Sequence, residues 1–469
     1  MAIIIEQFPL YDTLPVGQDV IFTVEESGGL ANNPQAKFKA TVFVGTNNQN
    51  YTNIGTFKVT PNSYLKGIFN LNHILDNYVS PDYSGVDFKT TDNIAESTKD
   101  GVVWNDNVNY HSVHGIDKFC LGVNSIKFFE VHFGLEYEQS GTVQDSGLNT
   151  ISRERIYFNG VIYSDIDRIT VDSAYNFGYN LVGNAYVPAT STTNGFLSDM
   201  PSIQYARLTD YGTTAFLDSQ QNGLNTEVFN ITFNAYNASD ALLLTNGFNN
   251  VASEGGYPSV GTPYNHYSFI RLKYVAIYPA NLNVQGWFQS AVAAGMTYYT
   301  LCIKEHTACV SHTYRINLIE DDCKGFETVR LCWLNKWGVW DYYTFTKKSV
   351  KTLQSNRTTF KQLRGTWNND KFRLNEPKGG KRNFKVDSVE RILINTDFVN
   401  DSVSDWFEQL VNSPEVFILN RSVAEPVILT SSSWTKKTQA NDQLIQYSFE
   451  IERSIDRRTQ SSTHSQMIN

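Results

Sequence analysis

Apolar and polar residues alternate with a period of two in several stretches of this chain, the pattern that puts one face of a strand in a core and the other in solvent. The alternation is strictest at Ile445, Tyr447, Phe449 and Ile451 against Gln446, Ser448, Glu450 and Glu452. It recurs at Phe129, Val131 and Phe133 against Glu130 and His132. Other runs, some of them continuously apolar such as Val416-Phe417-Ile418-Leu419, predict strands over 19–25, 37–44, 54–59, 155–163, 230–236, 269–278, 298–303, 312–319, 329–334, 416–419 and 426–429. One segment breaks the period: Val403, Trp406, Phe407, Leu410 and Val411 recur at helical spacing and form a single apolar stripe. Ser402 stands three residues before Asp405, the spacing of a capping box, and Pro414 closes the segment, so a helix is expected over 402–412. Phe69, Leu71, Ile74, Leu75 and Tyr78 predict a second, shorter helical turn.

These elements imply an all-β, multidomain fold of β-sandwiches, with a C-terminal β-barrel-like unit that carries one short helix. At 469 residues the chain exceeds one ordinary core. The expected divisions are an N-terminal β-sandwich over 1–95, a β-rich domain with long loops over 96–345, a basic linker or arm over 346–386, and a barrel-like assembly domain over 387–469. Polar stretches rich in Gly, Asn, Ser and Thr at 172–202 and 245–263 supply the loops. An aromatic content of 13%, with 26 Tyr and 29 Phe, suits pleated surfaces.

Charge changes the picture in one place. Between 347 and 391 the chain has 13 Lys or Arg against 4 Asp or Glu, a balance of +9; the whole chain carries −9, so the remainder carries −18. Lys347, Lys348, Arg357, Arg364, Arg373, Lys381 and Arg382 belong to this segment, and the glycines of Lys378-Gly379-Gly380-Lys381-Arg382 mark a turn. The segment reads as a solvated basic arm, or as an arm that lies across an acidic face of a neighbouring subunit. The overall acidity, with a pI near 5.5, argues against a protein that coats nucleic acid. No run approaches the ~20 apolar residues of a membrane span, and the N-terminal residues lack the basic region of a signal peptide, so a soluble protein made in a cytoplasm is expected.

Catalytic signatures are missing from the sequence: there is no phosphate-binding Gly-rich cradle, nucleophile elbow or H-E-x-x-H zinc helix. Asp165 with Asp167, and Glu320, Asp321 and Asp322, are carboxylate groupings of the kind a glycoside hydrolase needs, and solvated turns account for them equally simply. Cys302, His306, Cys309 and His312 form a C-x3-H-x2-C-x2-H run whose thiolates and imidazoles suit tetrahedral zinc, the one metal the sequence suggests. The competing account is of buried, reduced cysteines behaving as small apolar residues, since five cysteines do not make a secreted disulfide framework. Trp333, Trp337, Trp340, Tyr342 and Tyr343 cluster around a hairpin turn at Asn335–Gly338. Trp337, Trp340 and Tyr342 form a ligand-facing platform if exposed, and a sheet core if buried.

Residues 330–455 resemble a group of virion structural proteins from tailed bacteriophages. The likeness rests on the Leu-Asn-x-x-Gly-x-x-Asp-Tyr hairpin at 334–342, the basic arm, and the helix leading into Ser413-Pro414-Glu415-Val416. It continues through Pro426-Val427-Ile428-Leu429, Lys436-Lys437 and the strand at 445–452. The resemblance implies a non-enzymatic tail or baseplate component in the virion, assembled in the host cytoplasm as a homo-oligomeric ring with other tail or baseplate proteins. The basic residues above, together with Trp406, Phe407 and Leu410, are the expected assembly residues. A carbohydrate-binding adhesin or receptor-binding protein, a polysaccharide-acting enzyme and a head-associated virion protein are the alternatives.

Overall fold

The computed structural model describes residues 2–9, 13–45, 51–81, 125–152, 154–161, 179–182, 185–188, 196–217, 230–248, 272–305, 308–309, 311–319, 326–365, 370–374, 379–420, 423–431 and 445–455. Strands dominate and helix is scarce, so the all-β, multidomain expectation holds. Two compact units divide the chain: Met1–Asp321 with Trp333–Tyr342 and Arg421–Val423, and Asp322–Cys332 with Tyr343–Asn420 and Ala424–Asn469.

The first unit begins with β1 (Ile3–Gln7), β2 (Thr13–Pro15), β3 (Ile21–Glu26), β4 (Lys37–Gly45), β5 (Tyr51–Val59), β6 (Lys66–Asn70), α1 (Asn72–Leu75), β7 (Ile126–Gln139), β8 (Thr142–Ile151) and β9 (Arg155–Phe158). A three-stranded sheet in the order β1-β3-β6 faces a six-stranded sheet in the order β2-β9-β7-β4-β5, with β8 on β7. Phe22, Val24 and Phe69 from one sheet and Phe38, Ala40, Val42, Phe129 and Phe133 from the other fill the space between them. The Phe133 ring lies 5.6 Å from that of Phe22 and 5.8 Å from that of Phe69. Each such ring contributes about 1.5–3 kcal/mol by leaving water. Because β4 pairs with β7 from Lys37↔Glu136 to Gly45↔Phe128, the sandwich takes strands from both sides of residue 95, where a domain boundary was expected. Alternation marks a strand without naming its partner, which is why the sequence pattern divides what the sheet joins.

The same unit continues through β10 (Tyr179–Val182), β11 (Ala185–Pro188), β12 (Ile203–Ala206), β13 (Thr213–Leu217), β14 (Asn230–Tyr236), β15 (Leu242–Phe248), β16 (Leu272–Ala276), α2 (Pro279–Leu282), α3 (Gly286–Ala293), β17 (Tyr298–Glu305), β18 (Ala308–Cys309) and β19 (Tyr314–Leu318). A second six-stranded sheet runs β12-β19-β17-β14-β15, with β18 on β17. α3, which the alternation did not predict, is held by aromatic contacts: Phe288 meets Tyr299 edge-on at 5.6 Å, and Trp287 lies 5.5 Å from Phe233.

The remaining elements are β20 (Val329–Leu334), β21 (Trp340–Phe345), β22 (Val350–Gln362), β23 (Gly380–Asn395), α4 (Asp401–Asn412), β24 (Val416–Asn420), β25 (Val423–Leu429) and β26 (Ser448–Arg453). They form a seven-stranded sheet in the order β21-β20-β24-β25-β26-β23-β22. The sheet is open: no barrel closes among the described residues, which corrects the barrel-like expectation for 387–469. Closure needs an edge strand with an apolar face to curl around a core, and almost every residue of β22 is exposed on both faces.

Candidate functional site

The helix stripe turns inward. Trp406, Phe407 and Leu410 are wholly buried within their own unit. Phe407 sits 4.9 Å from Tyr343 and 5.5 Å from Phe449, both edge-on. These three side chains are core, which removes them from the set of expected assembly residues. The helix starts one residue earlier than predicted, because Asn400 rather than Ser402 is the N-cap: its Oδ1 accepts from the Val403 amide at 3.1 Å and from Ser402 Oγ at 2.8 Å.

The hairpin forms where the sequence places it, and it too faces inward. Asn335 Oδ1 accepts from the amides of Trp337 and Val339 at 3.0 and 3.2 Å, which builds the turn. Gly338 has φ +79°, and a Cβ there would sit 1.7 Å from the Asn159 carbonyl oxygen, so only glycine fits. Trp340 and Tyr342 are buried, which corrects their reading as ligand-facing groups. Trp337 is half-buried and donates Nε1–H to Asp199 at 3.1 Å.

The zinc run is also resolved by its sulfurs. Cys302 and Cys309 form a disulfide that ties β17 to β18, so neither offers a thiolate. His312 is exposed and His306 lies outside the described residues. The donor set does not fit a tetrahedral metal site, and no group of three or more His, Cys, Asp or Glu could hold a metal ion among the described residues. Burial pushes the Cys332 thiol up, away from the reactive thiolate. Asp165, Asp167, Glu320, Asp321, Asp322 and Cys323 lie outside the described residues.

What remains open to a partner is the basic segment. β22, of 13 residues, and β23, of 16, pair antiparallel from Val350↔Leu393 to Gln362↔Gly380. β26 covers β23 only from Arg391 to Asn395, so the rest is a two-stranded ribbon. At about 3.4 Å per residue, β22 spans roughly 40 Å. The base of the ribbon is neutralised: Lys347 pairs with Asp397 at 2.8 Å, Lys351 with Glu327 at 2.5 Å, and Arg391 with Glu452 at 2.9 Å. Its far part is different. Arg357, Lys361 and Lys381 have no ion pair among the described residues, and Lys361 stands directly opposite Lys381 across the two strands. Arg382 stands opposite Phe360. Arg364 and Arg373 lie exposed in the segment between the strands, and Lys348 is exposed before β22.

Exposed apolar side chains share this surface. Leu353, Leu363, Phe372, Leu374 and Phe384 are each more than half exposed. The register skips Phe384 at a bulge between Thr358 and Thr359, and its ring meets Phe360 edge-on at 6.4 Å. Charge alone singled out the basic residues and passed over these apolar ones. The signal was available: Thr352, Gln354, Asn356 and Thr358 alternate with Leu353, Ser355, Arg357 and Thr359, so neither face of the strand is apolar.

No family model matches this chain, and no curated protein matches it. Among solved structures, the chain is similar at 8% identity to trypsin-activated alpha-2-macroglobulin from Escherichia coli, with a TM-score of 0.19, over 95% of this chain and 21% of that one. It is similar at 9% identity to the native conformation of E. coli alpha-2-macroglobulin, with a TM-score of 0.18, over 84% of this chain and 21% of that one. The chain thus spans about a fifth of the length of these structures.

Proposed function

We propose that this chain is a non-enzymatic structural component of a bacteriophage virion, a tail or baseplate protein that assembles into a symmetric ring in the host cytoplasm. The observation that carries the reading is the far part of the β22–β23 ribbon, a strand pair exposed on both faces that has no core of its own. A two-stranded ribbon is only marginally stable alone, and one kept at this length gains most from a neighbour that covers it. The sequence resemblance over 330–455 supports the same direction. A closed ring would also cover exposed strand edges across subunits.

The burial of Trp340 and Tyr342 leaves only the half-buried Trp337 of the aromatic platform that an adhesin would use, which favours the structural reading. The test is the mass of the purified full chain by light scattering over a range of concentration and salt, with negative-stain imaging of the particles. Closed rings are expected. A particle that stays monomeric at every concentration overturns the proposal, and a trimer that binds glycan replaces it with a receptor-binding protein.

A further inference from the structure

We infer that the far part of the β22–β23 ribbon docks on an acidic surface of a second copy of this chain, with Lys361, Lys381 and Arg357 as its charged contacts and Phe384 and Phe360 as its apolar anchor. The inference rests on the self-assembly reading above and names the partner of that surface.

Three observations carry it. Lys361 and Lys381 are a direct cross-strand pair of like charges, which weakens a two-stranded ribbon unless an anion is brought to it. Neither has an ion pair among the described residues, whereas Lys347, Lys351 and Arg391 at the base are each matched by a carboxylate. Lys361, Lys381 and Arg357 thus stand without a matching carboxylate among the described residues.

The apolar residues decide what kind of anion the ribbon meets. A phosphate backbone neutralises Lys and Arg but gives no burial to Leu353, Leu363, Phe372, Leu374 and Phe384, all of them more than half exposed. A protein surface buries both. The bulge sharpens this, since it turns Phe384 onto the side of Phe360 and makes one aromatic pair, with Arg382, on the face opposite Lys361 and Lys381, so a partner that meets both grips the ribbon from its two faces. Aromatic and arginine groups together are the composition of a protein interface centre.

Charge then identifies the partner. Outside 347–391 the chain carries −18, against +9 within it, so a second copy presents the complementary potential. Antiparallel self-pairing of the β22 edge about a two-fold axis at Asn356 is a poor alternative, because Lys351 would meet Lys361 of the partner subunit.

The experiment mixes unlabelled and 15N-labelled full-length chain and applies a carbodiimide, which joins lysine amines to carboxylates in contact. Mass spectrometry then identifies mixed-isotope cross-links. Links from Lys361 or Lys381 to an Asp or Glu of the other copy are expected. The double variant Lys361→Glu, Lys381→Glu should lose these links and weaken self-association at least tenfold, while Lys361→Arg, Lys381→Arg retains it. Phe384→Ser should weaken it as well, and circular dichroism of each variant verifies the fold. If wild type assembles and the Glu variant assembles equally well, the ribbon is not the contact, although the assembly reading stands. If wild type never assembles, both fail. If a labelled DNA duplex binds wild type and not the Glu variant, with self-association unaffected, the surface serves nucleic acid and the inference is overturned.

Discussion

Asn400 shows how a single polar side chain sets where an element begins. Its Oδ1 takes the Val403 amide, one of the donors that the first turn of a helix leaves open. Asn400→Ala is expected to cost about 1 kcal/mol in urea unfolding. Ser402→Ala should stay within about 0.5 kcal/mol, because Ser402 only supports the cap. Equal costs would return the cap to Ser402. The Lys39 ammonium bonds the Asp145 carboxylate and holds its pKa below the ordinary value, with help from the Gly147 amide at 2.8 Å. A carboxyl whose folded pKa is depressed stabilises the fold above its unfolded value, about 4, and loses that contribution as pH falls through the folded value. The stability gap between wild type and Asp145→Asn should therefore be constant above about pH 5 and shrink on acidification. Urea titrations at stepped pH check this, and a gap that persists unchanged to strong acid excludes the pair as its source. Cys302 and Cys309 close a short loop, and Cys309→Ser should cost about 2 kcal/mol in the chain-entropy picture. Non-reducing peptide mapping should find the two cysteines joined, with substoichiometric zinc in the same sample.

At the scale of elements, the same residue types lead to opposite fates. α4 and β20–β21 are aromatic and turn inward, whereas β22 and the first half of β23 face solvent on both sides, and β23 enters a core only at Ile392 and Ile394. Phe407 packs against Tyr343, Phe345, Tyr447 and Phe449, so it joins the helix to strands from both ends of the sheet's sequence. Phe407→Ala is expected to destabilise this unit by about 3–5 kcal/mol. The helix itself was legible, because an apolar period of 3.6 residues inside alternating sequence puts one face in a core only when the segment is helical. α3 was not, because its eight residues, little more than two turns, are too few to show a period and are held by Phe233 and Tyr299 from distant strands. The tryptophan hairpin was legible as a hairpin but not as core, since Trp340 serves either role until a neighbouring layer is known.

For the whole molecule, two compact units predict unfolding that departs from a single two-state transition. Phe407→Ala should lower one calorimetric transition and leave the other in place; a common shift of the whole profile would mean that the units unfold as one. The sequence by itself determined what is local. Alternation over 445–452 and 129–133 specified strands, the apolar stripe from Val403 to Val411 specified a helix, and the basic run over 347–391 specified a cationic segment, because period and charge are properties of neighbours along the chain. Only the tertiary structure decided what depends on partners distant in sequence. It joined β4 to β7 across residue 95, bound Cys302 to Cys309 in place of a metal site, buried Trp340 and Phe407, left the last sheet open, and set Lys361 against Lys381. Strand partners, burial and cross-strand charge are set by contacts that no local pattern encodes, since the same alternating segment can pair with any strand that offers a matching face.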